Sequence, residues 1–320
     1  EREKELKDDQ DDAFENPDEI IKKNEEDEKN ALAEAKILGD LPSLDLENPA
    51  IPIEKNKLRI GFITDLHFSS DRHPKGRKIK DIQRRRVDYF LEEMNNEFRP
   101  NFILVNGDII EGTGRSAEIG IGELEQAKAI FDQTVISKYW VVGNHDLRSV
   151  EKDQFKKALG VDYLNKSFKI GDYRIIILDG SFYSDDSDMK PGVIFNQGRV
   201  SVKNLSWLNR ELEDNSEKKI IFIHYPILDK TSSRKVALFN AEEVLQAIDD
   251  RGVLAVFSGH TEWLFNKEYK DIKHYTLPGM TKNSTYKGAF AEIEINDKKI
   301  KVRMFYQKEP NGNYFSFVLK

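Results

Sequence analysis

The chain has 320 residues, 38% hydrophobic and 33% charged, a balance that can bury a full core and still carry a polar appendage. It has no cysteine, which excludes disulfides, thiolate ligands and a cysteine nucleophile, so any metal must be held by His, Asp, Glu or Asn. The net charge is -7, but residues 1–30 alone carry 14 acidic against 6 basic side chains; the rest is near neutral and lacks the basic stripe of a nonspecific nucleic-acid binder.

Residues 1–40 are acidic and poor in aromatics, the composition of a solvated helix or a disordered leader, and offer a docking segment for a protein partner. Residues 41–56 hold prolines at 42, 49 and 52 and read as a linker, which places the folded domain at 57–320. The chain starts with Glu1 rather than Met, as a processed or a trimmed product would; a removed export signal would fit the first and favour an extracytoplasmic over a cytoplasmic location, with both locations left open.

From Lys57 onward, short apolar runs alternate with amphipathic patterns. LRIGFIT (58–64) reads as a strand, DIQRRRVDYFLEEMNNEF (81–98) as a helix and FILVNGD (102–108) as a strand. A helix near 122–134, the strand KYWVVGN (138–144), a helix near 150–159 and the strand runs YLNKSFKI and YRIIILDG follow. The pattern repeats with a helix in QGRVSVKNLSWLNRELED, the strand KIIFIHYP, a helix near 241–249 and the strand VLAVFSGH. The longest apolar runs, such as IIIL at 175–178, are strand-sized and far short of the ~20 residues of a spanning helix. Beyond residue 262 only β runs remain: KHYTLP, AFAEIEI, KIKVRMFYQ and YFSFVLK. Such an order predicts an α/β fold of two packed sheets flanked by helices.

Polar residues recur at the ends of these runs: Asp65 and His67, Asp108, then Asn144, His145 and Asp146, then His224, and finally His260. Ligands of open α/β sheets bind beyond the carboxyl ends of strands, so these five stretches converge if their strands are neighbours. Each alone has an ordinary structural explanation, as a turn cap or a core histidine. Together they place four of the six histidines directly after a buried strand; His73 and His274 are the exceptions, and His274, inside a β run, reads as structural.

The order DLH, NGD, GNHD, HYP and GHTE resembles the calcineurin-like metallophosphoesterase superfamily, over about residues 57–277. The Gly-then-Trp-Leu helix of QGRVSVKNLSWLNREL is similar to its purple-acid-phosphatase-like and cyclic-nucleotide-phosphodiesterase-like branches. The resemblance implies a four-layer α/β/β/α sandwich of two mixed sheets, two divalent metal ions, and hydrolysis of a small phosphomonoester or phosphodiester by in-line attack of a metal-bridging hydroxide. It puts Asp65 and His67 on the first metal, Asp108 between both, and Asn144, His224 and His260 on the second. His145 then faces the phosphate as a catalytic residue, oriented by Asp146. Nuclease action is disfavoured by the near-neutral domain.

Two positions depart from that pattern. Where the superfamily has a second histidine on the first metal, this chain has Glu262. As a ligand reaching over from an extended segment, Glu262 would lower the formal charge of the cluster by one and favour Mn or Fe over Zn. Otherwise the site is impaired and the chain is a binding or scaffold protein on the same fold. Three residues after Asp108, where purple acid phosphatases have a tyrosine, stands Glu111, so a tyrosinate-bound ferric site is not supported. In the basic loop 69–78, His73, Lys75 and Arg77 are candidates to meet a substrate phosphate, whereas Arg84, Arg85 and Arg86 read as a solvated helix face. The segment EGTGRSAEIGIG (111–122) is glycine-rich enough to bend over the cleft.

Overall fold

Alternation along the first strand decides which side of the sheet becomes the core. In β1 (Lys57–Ile63), Leu58, Ile60 and Phe62 point into one buried cluster, while Ile63 joins a second. This computed structural model describes residues 56–70, 79–228, 236–280, 285–297, 299–309 and 312–319. The acidic leader, the linker up to residue 55 and the loop bearing His73, Lys75 and Arg77 lie outside the described residues. Among those described, no helix is long and apolar enough to cross a membrane.

β1 pairs in parallel with β2 (Phe102–Asn106), and β2 with β3 (Lys138–Val141). On its other side β1 takes β10 (Lys287–Asn296) antiparallel, from Lys57 opposite Asn296 to Phe62 opposite Ala291. β11 (Lys299–Gln307) and β12 (Tyr314–Val318) continue that sheet as a meander, giving the order β12-β11-β10-β1-β2-β3. The second sheet runs β4-β5-β6-β7-β9-β8. Its members are β4 (Lys166–Ile170), β5 (Tyr173–Leu178), β6 (Lys218–Ile223), β7 (Val253–Ser258), β8 (Phe265–Tyr269) and β9 (Ile272–Thr276). The β5-β6-β7-β9 stretch is parallel and both edge strands are antiparallel.

The sheets pack face to face through one apolar layer. Phe62 of the first sheet meets Phe222 and Phe257 of the second, with ring centroids 6.3 and 6.2 Å apart, and Phe222 stacks on Phe257 at 5.4 Å. The outer faces are covered by helices: α1 (Ile79–Glu92), α2 (Ala117–Phe131), α3 (Lys152–Leu159), α4 (Val202–Glu211) and α5 (Ala241–Ile248). Phe90 of α1 sits edge-on to Phe290 of β10 at 5.3 Å, and Phe131 of α2 to Trp140 of β3 at 5.3 Å. Two mixed sheets flanked by helices are the architecture expected from the alternating run order.

Three local expectations change. The helix expected at 81–98 continues past Glu92 as a π-helical turn, Glu93–Phe98, and stops at Arg99 in the left-handed region. The glycine-rich stretch 111–122 bends only as far as Ser116, whose hydroxyl caps the N-terminus of α2 through Ile119 N. Gly120 lies inside that helix, where a side chain would collide with Ser149, so it serves close packing rather than loop bending. In the arginine run, Arg86 is buried rather than solvated: it donates to Met280 O and to Gln307 Oε1, tying α1 to the C-terminal strands.

Candidate metal centre

The strands β1, β2, β3, β6 and β7 end on one side, and the polar residues that follow them gather there. The first two loops are zipped by backbone bonds from Asp65 N to Gly107 O (3.0 Å), His67 N to Asp108 O (2.9 Å) and Phe68 N to Ile109 O (2.8 Å). Asp65, His67, Asp108, His260 and Glu262 all have positive φ, between 44° and 69°. Left-handed backbone at a non-glycine residue costs of order 1 kcal/mol and persists where its surroundings over-determine it. Among the described residues, five of the eleven non-glycine positions with positive φ gather here, at the ends of three strands. Gly143 and Gly259 allow the close approach: a Cβ on the first would overlap Asp108, and on the second Thr64 and Asp65.

Two groups of donor atoms form around Asp108. Asp65, His67 and Asp108 make one, and Asp108, His224 and His260 the other, with the ligand atoms of each lying within 4.8 Å of one another. Asp108 Oδ1 accepts from the backbone N–H of His145 at 2.8 Å, which turns Oδ2 between the two groups. Oδ2 lies 3.2 Å from His224 Nε2, without alignment for a hydrogen bond, and 3.9 Å from His67 Nε2. His224 Nδ1 donates to Asn106 O at 2.8 Å, so Nε2 faces the cluster. Asp65 accepts from His260 N and, at 2.6 Å, from Thr64 Oγ1.

Glu262 joins this assembly. Its side chain is largely covered, with Oε1 3.4 Å from His67 Nε2. The route differs from the extended segment expected: β7 ends at Ser258, and His260 and Glu262 reach the centre from a turn with left-handed backbone at both residues.

Electrostatics mark a place for cations. Burial raises the Asp65 pKa, and the neighbouring Asp108 and Glu262 carboxylates add to the rise. Burial also acts to raise that of Asp108, but His224 and His145 outweigh it and hold the carboxyl well below the usual range. At His224 burial works downward, yet Asp108 and Asp65 bring the imidazole up to about 9. His260 is pushed down to about 3 by burial and by the His224 charge. The donor set of carboxylates, imidazoles and one amide fits Mn, Fe or Zn. Two further atoms test the fit: Asn144 Oδ1 and His260 Nδ1 are buried with no hydrogen-bond partner. Each such atom costs about 1–3 kcal/mol, which a coordinated cation would offset.

Around His145 the structure rearranges the expected roles. Asp146 does not hydrogen-bond the His145 ring; it is fully buried and accepts from the backbone N–H groups of Ile109, Ile110 and Gly143, locking the β2 and β3 loops together. The ring is met instead by Glu111 and Arg148. Nδ1 lies 3.0 Å from Glu111 O, 3.3 Å from Glu111 Oε1 and 2.8 Å from Arg148 NH1. Glu111 Oε2 also accepts from His67 Nδ1 at 2.9 Å, so Glu111 stands between the His67 and His145 rings beside the metal groups. In the sequence Glu111 stands out only as the residue in place of a tyrosine; its position three residues after Asp108 is the one local signal of its role.

A centre of this kind at the carboxyl ends of two sandwiched sheets defines a metal-dependent hydrolase. The calcineurin-like phosphoesterase family matches residues 58–262, and the chain belongs to it. A protein of Fibrobacter succinogenes (strain ATCC 19169 / S85), named a probable cyclic nucleotide phosphodiesterase, is 24% identical over 234 residues, covering 71% of this chain and 81% of that one. Among solved structures, a dimetal phosphatase from Danio rerio shares the fold at 18% identity and a TM-score of 0.62, over 83% of this chain and 99% of its own. GAP50 of Plasmodium, described as the anchor in the inner membrane complex, does so at 15% identity and 0.56, over 83% and 90%. The chain is thus a phosphoester hydrolase.

Proposed function

We propose that the chain hydrolyses a small phosphomonoester or phosphodiester at a centre of two divalent ions. Asp65, His67 and Glu262 hold the first, Asn144, His224 and His260 the second, and Asp108 Oδ2 stands between them. The observation that carries this reading is the position of Asp108 Oδ2 between His67 and His224, with Oδ1 tied back to His145 N. Glu262 Oε1, turned toward His67 Nε2, supports a complete ligand set over an impaired one. Oxygen ligation by Glu262 favours Mn or Fe.

Ions held there would supply Lewis-acid chemistry, activating a water and polarising the phosphoryl oxygens. The protein supplies the rest. Water forms the new P–O bond, the ester P–O bond breaks, and the departing oxygen takes up the charge. A guanidinium can only donate, so Arg148 NH1 beside His145 Nδ1 sets the tautomer with the proton on Nε2, the nitrogen that faces this oxygen or the phosphoryl group and donates a hydrogen bond as charge develops. Aryl phosphate and aryl phosphodiester turnover by the Mn- or Fe-loaded protein tests the reading. His145→Ala should lower kcat by at least ~10² with metal content unchanged. Parent-like turnover in that variant would remove His145 from the chemistry.

A further inference from the structure

Two consecutive backbone carbonyls orient two of the candidate ligands. Phe195 O accepts from Asn144 Nδ2 at 2.8 Å, and Asn196 O accepts from His260 Nε2 at 2.7 Å. A carbonyl can only accept. The first bond therefore fixes which way the Asn144 amide is turned and sends Oδ1 to the opposite side. The second places the His260 proton on Nε2 and leaves Nδ1 as a lone pair. Oδ1 and Nδ1, like His224 Nε2, are buried atoms of the centre that lack a hydrogen-bond partner.

Both carbonyls belong to one segment, 192–198, which has no strand or helix of its own. Val193 and Ile194 are exposed, so little apolar burial fixes that part of it. Phe195 packs against the core cluster, and a short set of polar ties adds to that contact. Gly192 N donates to Arg148 O at 2.9 Å, Arg148 NH2 donates to Asn196 Oδ1 at 3.0 Å, and Phe239 N donates to Gly198 O at 2.7 Å. The Phe195 ring adds an edge-on contact with Tyr183 at 4.6 Å. The Arg148 guanidinium is central because its other arm, NH1, touches Thr113 Oγ1 and His145 Nδ1, both at 2.8 Å. One planar fork thus connects His145 to the segment that orients His260 and Asn144.

We propose that Arg148 and Asn196 are positioning residues, a latch that fastens segment 192–198 beside the metal centre and so aims Asn144 Oδ1 and His260 Nδ1 at one ion. The inference rests on the reading that these atoms, with His224, hold a metal. The latch acts on one ion only: His67 is oriented from elsewhere, by Glu111. Partners outside the ligand shell change metal affinity by ~10- to 100-fold.

The test is titration of Mn2+ into metal-free parent, Asn196→Ala, Asn196→Asp and Arg148→Lys, followed by calorimetry and electron paramagnetic resonance. The parent should bind two ions. Asn196→Ala and Arg148→Lys should keep one at parent affinity and bind the other ~10- to 100-fold more weakly. Asn196→Asp keeps an oxygen facing Arg148 and should retain both ions. In the metal-free protein, the 15N shifts of His260 should report a single Nε2–H tautomer in the parent and Asn196→Asp, and a mixture in Asn196→Ala. Arg148→Lys provides the comparison if Asn196→Ala does not fold. Two equally tight ions in the parent and in both weakened-latch variants would overturn the latch alone, as would an equal loss at both sites. A parent that binds no second ion would overturn the latch and the two-ion reading together.

Discussion

Nδ1 of His67 donates to Oε2 of Glu111 across 2.9 Å, between residues 44 positions apart, and so turns Nε2 toward Asp108 and Glu262. Burial acts to raise the Glu111 pKa, but the imidazoles of His145 and His67 beside it hold it well below the usual carboxylate range. An ionised Glu111 makes His67 a stronger donor to a metal. Glu111→Ala should weaken Mn2+ binding at the His67 site by ~10- to 100-fold, and Glu111→Gln, which keeps an acceptor oxygen, by less. Metal titration of the two variants checks this; unchanged affinity in Glu111→Ala would reduce Glu111 to a surface contact.

Glu262 is the position at which ligand replacement is most directly testable. Glu262→His should keep two ions per chain and shift preference toward Zn or Fe(II), because a borderline nitrogen replaces a hard oxygen. Glu262→Ala should bind one ion tightly and the other weakly. Metal analysis by plasma mass spectrometry separates these outcomes, and equal content and preference in all three proteins would remove Glu262 from the ligand set.

His274, on β9, is buried and neither ring nitrogen has a hydrogen-bond partner. Its cross-strand neighbours are Val256 on β7 and Lys267 on β8, so no acceptor from either strand is paired with it. Burial pushes its pKa down from 6.5 to about 4. Below the ordinary value the unfolded chain takes up a proton that the folded one refuses, so this contribution to stability is complete above about pH 6.5 and is lost progressively toward pH 4. Between pH 7 and pH 5 the loss is roughly 2 kcal/mol. His274→Phe should flatten that part of the stability-against-pH curve in denaturant titrations; a variant as acid-sensitive as the parent would refute it.

Much of the centre was legible because parallel strands deliver their following residues to one edge, so Asp65, His67, Asp108, Asn144, His224 and His260 could be grouped from local signals. What local signals could not carry is pairing at a distance. Nothing near Glu111 announces that His67 is its partner, and Asp146 beside His145 reads as an orienting carboxylate until the amides of Ile109 and Ile110 are seen to claim it. β8, FNKEY, was not anticipated because it is an edge strand with four of five residues exposed and no alternation to read. The β meander was visible, but its division was not: β8 and β9 extend the second sheet, while β10 returns to pair with β1 more than 200 residues earlier.

The central claim is that phosphoester hydrolysis requires two ions, held by the two donor groups that share Asp108. Its most direct test is stepwise addition of Mn2+ to the metal-free protein while turnover of an aryl phosphodiester and an aryl phosphate is followed. Hydrolysis of at least one substrate should be negligible at first and rise as the second equivalent binds. No turnover of either with Mn, Fe or Zn at any pH from about 5 to 9, or full turnover with a single bound ion, would contradict the account.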